Sequence, residues 1–341
     1  MKFKWPVTVR LILIVSLAMS SAGVARASAP DVRFASGKSS LRIPFRLHNN
    51  LIYLQLSVNN SQPLWFILDT GASHIINTRR AQALGLQLRA AEQTIGAGET
   101  YVDVSTADRI TFRLPGVTLS DQTVAALSLE TVEECTNRIT ADSRGGIVEH
   151  SQSANGIERQ VIDGVLGHQF FKHFIVEIDY AGQRMNLYEP GSYKYSGKGE
   201  IIPLEVEQSH VYVHSQITPL GRGPLMGRFM IDTGAATALV LNSPFVKINN
   251  LIPLTQDAIP FTGCGIGGDT KMLVSTVGVL RLGRFNIVKP VTMFSQAANG
   301  VLASSDFDGL IGSAILRHYK VVFDYSRRRM ILETIPQSRS E

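Results

Sequence analysis

Two aspartates stand where a carboxylate could do chemistry. Asp69 ends the apolar run Phe66-Ile67-Leu68 and leads into Thr70-Gly71-Ala72-Ser73. Asp232 ends Phe229-Met230-Ile231 and leads into Thr233-Gly234-Ala235-Ala236. A carboxylate at the end of a buried run is unfavourable unless something satisfies or uses it. One such site could be an accident; two copies of the same triplet point to a pair of carboxylates brought together for acid/base work.

The elements around each aspartate repeat in the same order. Ile43 to Leu47 and Leu51 to Val58 alternate apolar and polar residues, the period of half-buried strands. A turn at Asn59 to Pro63 returns the chain as the strand Leu64 to Leu68, and a short helix is expected over Asn77 to Leu86 with Asn77 as its N-cap. A glycine-marked tip, Gly96-Ala97-Gly98, lies between strand-like arms, and Ile110 to Leu114 and Val117 to Leu127 read as strands. The polar stretch Glu134 to Gln160 reads as a long loop or insertion without a core of its own. Asp163-Gly164-Val165-Leu166-Gly167 then precedes a helical stretch, and Ile175 to Asp179 begins the closing strands.

After a linker at 191–199 the pattern restarts. Val211 to Ile217 mirrors Leu51 to Val58, a second tip appears at Gly265-Ile266-Gly267, and Asp308-Gly309-Leu310-Ile311-Gly312 matches 163–167. Asp179-Tyr180 with Arg184-Met185 returns as Asp324-Tyr325 with Arg329-Met330. The aspartates at 69 and 232 are 163 positions apart, whereas 163 to 308 and 179 to 324 are each 145 apart. The first copy therefore holds 18 extra residues, and the polar stretch 134–160 is the natural place for them. Four markers in one order make a duplicated domain.

Composition bounds the rest. The chain has 341 residues, 44% hydrophobic and 18% charged, ordinary for a globular protein with a sizeable core. Val, Ile, Thr and Gly abound without long helical periodicity, so a mostly β protein is expected. Lys2, Lys4 and Arg10 flank the apolar run Leu11 to Met19, followed by small-x-small sites near residue 29. This reads as an export signal over 1–29, too short in its apolar part to span a bilayer, and implies a periplasmic or secreted protein. The signal carries four of the 33 basic residues and none of the 28 acidic ones. The mature chain is thus near neutral, which predicts no nucleic-acid or anionic-membrane partner. Cys135 and Cys264 are the only cysteines; a disulfide between the halves and two buried thiols are both open.

The double set of Asp-Thr-Gly-Ala, glycine-rich tip and apolar-apolar-Gly resembles the retropepsin-like and pepsin-like aspartic proteases over about Ile43 to Leu332. The resemblance implies two tandem retropepsin-like β-barrel lobes forming a pepsin-like bilobal pseudo-dimer, 30–190 and 200–341, working as a monomer without a cofactor or metal. It implies that Asp69 and Asp232 share a proton and hold a water that attacks a peptide bond. Thr70 and Thr233 would fix the loops by bonding across the interface, and Gly71 and Gly234 would let the backbone approach the carboxylates. Gly96, Ala97 and Gly98, with Gly265, Ile266 and Gly267, would be flaps closing over an extended peptide or unfolded protein. Ala72 and Ala235 replace the hydroxyl residue usual in pepsin-like enzymes, so a less extreme acid optimum is expected. Two tips imply two flaps where pepsin has one, and no long propeptide separates the signal from the first strand.

Other motifs carry less. Gly263-x-Gly265-x-x-Gly268 fits a dinucleotide fingerprint, but a strand follows it, so it reads as a flap. His168, His173, His210 and His214 lack metal-ligand spacing. Arg327 to Arg329 reads as a solvated corner, and Asp163 and Asp308 as turn caps. The competing function is a non-catalytic peptide- or protein-binding protein that keeps the acid protease fold.

Overall fold

The computed structural model describes residues 10–13, 31–141, 147–149, 160–207, 209–252 and 258–335. The expected export signal apart from Arg10–Leu13, and most of the polar stretch at 142–159, lie outside the described residues.

Each half folds its run of short strands into a sheet of the same hydrogen-bonded order. In the first half that order is Leu51–Val58, Leu64–Leu68, Gly164–Leu166, Ile75–Asn77, Val117–Leu127, Tyr101–Leu114 and Arg89–Ile95. In the second it is His210–Thr218, Leu225–Asp232, Gly309–Gly312, Leu239–Leu241, Val291–Ser295, Gly268–Thr276 and Ile259–Gly265. Pairing directions match as well: the strand carrying each aspartate runs parallel to the Gly-rich strand that enters late in the chain. The protein is therefore mostly β and bilobal, with each lobe a copy of one topology. The halves differ where Tyr101–Leu114 is one strand of 14 residues, while its counterpart breaks at Val277 and Gly278 and resumes as Val279–Leu282.

Six strands join the lobes. Ser39–His48, Arg184–Tyr188 and Ile175–Asp179 from the first half continue into Tyr319–Asp324, Arg329–Thr334 and Glu200–Pro203. At the centre Ile175–Asp179 and Tyr319–Asp324 pair antiparallel, with Val176 opposite Phe323. Alternation makes this possible, since Val176, Ile178, Val321 and Phe323 are all buried in one apolar core that reaches both lobes. Burying such side chains stabilises by ~1.5–3 kcal/mol each, so the joint is held mainly by the hydrophobic effect.

Several sequence expectations meet their physical cause here. The helix expected over Asn77 to Leu86 is Thr78–Ala83, capped by the Asn77 side chain accepting from Arg79 N at 3.3 Å and stopped at Gly85 with φ +64°. The stretch from Glu134 is not all loop: the helix Glu130–Arg138 runs into it and buries Val132, Cys135 and Thr136. Those three lie at i, i+3 and i+4, one apolar stripe on an otherwise polar sequence. The corner at Arg327 to Arg329 is not merely solvated either. Arg327 Nη1 and Arg329 Nε reach the fully buried Asp324 at 3.1 and 2.9 Å; burial raises its carboxyl, but the hydrogen bond from Ser326 Oγ, and then those from Arg329 and Arg327, hold it below the usual range. Cys135 and Cys264 are joined as a disulfide, which resolves the alternative left open by sequence. The strand Arg10–Leu13, inside the segment read as a signal, pairs in parallel with Thr262 to Gly265. No helix among the described residues is long and apolar enough to cross a membrane.

Candidate active site

Each aspartate is delivered by the strand that ends on it. Phe66 to Leu68 and Phe229 to Ile231 are completely buried, and the chain turns at once after the carboxylate. The turn is held from below by the late strand: Asp69 N donates to Leu166 O at 3.1 Å, and His168 N donates to Ala72 O at 2.7 Å. In the second lobe Ser313 N donates to Ala235 O at 2.8 Å and Ser313 Oγ to Thr233 O at 2.9 Å. Asp163 and Asp308 sit at matching places and accept from the incoming strands, at Trp65 N (2.8 Å) and Arg228 N (2.7 Å). They brace the strands rather than line the site, and Asp163 also pairs with Arg80.

The two loops lock across the lobe boundary. Thr70 N donates to Thr233 Oγ1 and Thr233 N to Thr70 Oγ1, each at 3.0 Å. Thr70 Oγ1 donates to Ile231 O at 2.6 Å, and Thr233 Oγ1 to Leu68 O at 2.9 Å. Both hydroxyls are thus saturated as donor and acceptor inside a dry interface, where hydrogen bonds are strong and hard to replace. Gly71 N donates to Asp69 Oδ1 at 2.7 Å, and Gly234 N to Asp232 Oδ1 at 2.9 Å.

The glycines have a second role that brings the carboxylates together. A Cβ at Gly71 would stand 2.9 Å from Asp232 Cγ, and one at Gly234 only 2.1 Å from Asp69 Oδ2. Each carboxylate therefore rests on the backbone of the opposite loop, and only glycine allows that approach. Both aspartates are fully buried. Burial, and then the charge of Asp232, push the Asp69 carboxyl well above the usual carboxylate range. Burial likewise raises Asp232, against a hydrogen bond from the Asp69 side chain and bonds from the Gly234 and Ala235 amides that favour its ionised form. Two such groups in contact favour the state with one proton between them, a combined acid and base.

Beneath the pair lie buried rings. Tyr325 stacks on Phe171 with centroids 5.5 Å apart, and its phenol is pushed well up by burial and then by the nearby charges of Asp69 and Asp232. His74 accepts from Gly167 N at Nδ1 (3.0 Å), so its ring is neutral with the proton on Nε2, in line with a pKa lowered by burial to about 3. Two further residues tie one lobe to the other's loop. Asn50 Nδ2 donates to Ala236 O at 2.8 Å while its Oδ1 accepts from Arg317 Nη1 at 2.7 Å. His210 is buried beside the Gly71 backbone, and burial lowers its pKa to about 4 against the effect of that hydrogen bond. Neither was singled out for the site from sequence. The signal was present: each immediately precedes the mirrored strand, at Leu51 and Val211.

The two glycine-rich tips meet each other. Gly98 N donates to Ile266 O at 2.8 Å, and Thr100 N and Oγ1 donate to Gly267 O at 3.0 and 2.6 Å. Thr270 Oγ1 donates to Ala97 O at 2.6 Å. Ala97 is buried in an apolar cluster of the second lobe with Ala235, and Ile266 in a cluster of the first lobe with Ala72 and Ala236. The tips thus cross, each packing beside the opposite aspartate loop. All of the residues read from sequence, the two triplets and both tips, come together in one place. Among the described residues no group of side chains could hold a metal ion.

A bilobal β protein with two interlocked Asp-Thr-Gly loops is an architecture of the aspartic protease type. The aspartyl protease family model matches residues 54–170, which takes in Asp69, the first tip and the start of the helix His168–His173. No curated protein matches the chain. Among solved structures the chain is similar to basic 7S globulin from soybean, at 11% identity and a TM-score of 0.45, over 87% of this chain and 95% of that one.

Proposed function

We propose that this protein is an exported aspartic endopeptidase that cleaves extended peptide or unfolded protein segments with a water activated between Asp69 and Asp232. The observation that carries the reading is the mutual seating of the carboxylates. Each is buried, each is held by its own glycine amide, and each rests against the opposite loop. The ionised member takes a proton from the water as it attacks the peptide carbonyl. The protonated member donates to the carbonyl oxygen, and no covalent intermediate forms. Thr70 and Thr233 hold the two loops in register and do not react. The tips at 96–98 and 265–267 take the backbone of the extended substrate, which they can pair with in the manner of an added strand. One chain supplies both halves of the site, so the working unit is a monomer. The disulfide supports export, since such bonds persist in oxidising compartments.

The test is digestion of an unstructured protein across pH by wild type, Asp69→Asn and Asp232→Asn. Either substitution abolishes cleavage if the aspartates act as one unit. Cleavage surviving in one variant overturns the shared site. A wild type that binds peptide and cleaves nothing at any pH makes the protein a binder instead. The optimum is expected above the strongly acid range, because burial raises both carboxyls and Ala72 and Ala235 carry no hydroxyl to stabilise the ionised form.

A further inference from the structure

The tips occupy pseudo-equivalent seats that are held in different ways. The first tip lies on the backbone at 298–301 of the second lobe. Val301 N donates to Gly96 O at 3.1 Å and Ala298 N to Glu99 Oε2 at 3.1 Å. Gly300, with φ +77°, sits so close that a Cβ there would stand 2.4 Å from Gly98 O. The second tip lies against the helix Glu130–Arg138 of the first lobe, where Ile266 shares a cluster with Leu129 and Val132. Here the seat is covalent: Cys264, the residue before the tip, is bonded to Cys135, with Cα atoms 6.7 Å apart.

Because the dyad is fully buried, substrate entry requires one tip or both to leave its seat. The first tip is released by breaking hydrogen bonds that water can replace, each worth ~1 kcal/mol net. The second cannot rise while the disulfide stands, since a disulfide limits the Cα separation to roughly 7 Å. We propose that the disulfide makes the second tip a fixed roof and leaves the first, 96–98, as the sole gate to the aspartates. Resting on the proteolytic reading of the site, this also gives the helix at the start of the extra polar stretch a purpose as the anchor of the opposite flap. Cys135 and Cys264 are both buried, so the bond serves as a permanent fastening. Ile266 then presents a constant apolar wall to whatever enters.

Amide hydrogen exchange tests this whether or not the protein cleaves anything. In the oxidised chain, peptides covering 96–100 exchange about tenfold or more faster than those covering 262–270. In Cys135→Ser/Cys264→Ser the second region rises to the rate of the first. Thr100 is exposed, so Thr100→Val removes the Oγ1 bond to Gly267 without disturbing the core; it speeds exchange at 96–100 alone. Equal rates at the two tips in the oxidised chain would overturn the proposal. So would Thr100→Val accelerating both regions together, which would mean that the tips open as one unit. Loss of cleavage in Asp69→Asn with this exchange pattern intact separates the gate from the chemistry.

Discussion

Gly234→Ala provides a severe test of how the aspartates are seated. The added Cβ would stand 2.1 Å from Asp69 Oδ2, 2.2 Å from Cγ and 2.6 Å from Oδ1. Ordinary contact begins near 3.4 Å, so the Asp69 carboxylate would have to retreat by more than 1 Å. It has little room to do so, being fully buried and held at 2.7 Å by Gly71 N. A misplacement of about 1 Å at a reacting group costs roughly 10²-fold in rate. The pseudo-equivalent change Gly71→Ala brings its Cβ only to 2.9–3.0 Å of the Asp232 carboxylate, and a shift of a few tenths of an ångström relieves it. That variant is expected to lose about tenfold or less. The assay is kcat/KM on a quenched fluorescent peptide for both variants, with thermal unfolding as a control that does not depend on turnover. Gly234→Ala should lose mainly kcat, because the displaced group acts on the water and not on substrate binding. Activity of Gly234→Ala within about threefold of wild type, or greater damage from Gly71→Ala, would refute the seating described.

Two further outcomes follow from the same site. Asp69→Asn removes a carboxyl whose folded pKa is raised above its unfolded value, so wild type keeps that contribution at low pH and loses it as pH rises through the folded value. The variant should therefore be more stable than wild type at pH 8 and no more stable at pH 3, read from denaturant midpoints; an equal difference at both values would contradict this. Thr70→Val strands Thr233 N and Ile231 O in a dry interface and should cost about 2–4 kcal/mol, while Thr70→Ser restores most of it; a larger loss in Thr70→Ser than in Thr70→Val would mean that the methyl, not the hydroxyl, holds the loops.

The sequence carried the duplication and the dyad plainly, for one reason: both depend on local signals. A buried strand running into Asp-Thr-Gly is written within eight residues, and its recurrence at a fixed offset exposes the second lobe. What lay hidden depends on pairing between distant segments. Among its described side chains the helix Glu130–Arg138 buries Val132, Cys135 and Thr136 in a polar setting, so this apolar stripe did not stand out as periodic. Asn50 belonged to no motif and His210 read only as a histidine without metal-ligand spacing, and only the folded chain brings them to the opposite loop. The crossing of the tips was equally illegible, since glycine-rich segments have no side-chain pattern to announce a partner.

Joining two copies of a lobe in one chain frees each copy to differ, and the differences are not scattered. The loop after the first aspartate has Ser73 where the second has Ala236, and the supporting Gly is followed by His168 in one lobe and Ser313 in the other. Ser313 bonds the Thr233 carbonyl, whereas the buried, neutral His168 lies with its ring 5.2 Å from that of Tyr325 under the dyad. The closer approach of Gly234 to Asp69 than of Gly71 to Asp232 belongs to the same set. The disulfide adds the largest asymmetry by fastening one tip and not the other. Residues that must match for the two loops to lock, Asp, Thr and Gly, are identical in both copies. Those that set environment and access differ. A pair of equivalent carboxylates leaves the proton undecided between them; unequal surroundings bias which one holds it, and the single gate proposed above would fix the side from which a substrate arrives. The duplicated frame thus supplies the acid/base pair, and the departures from symmetry supply its direction.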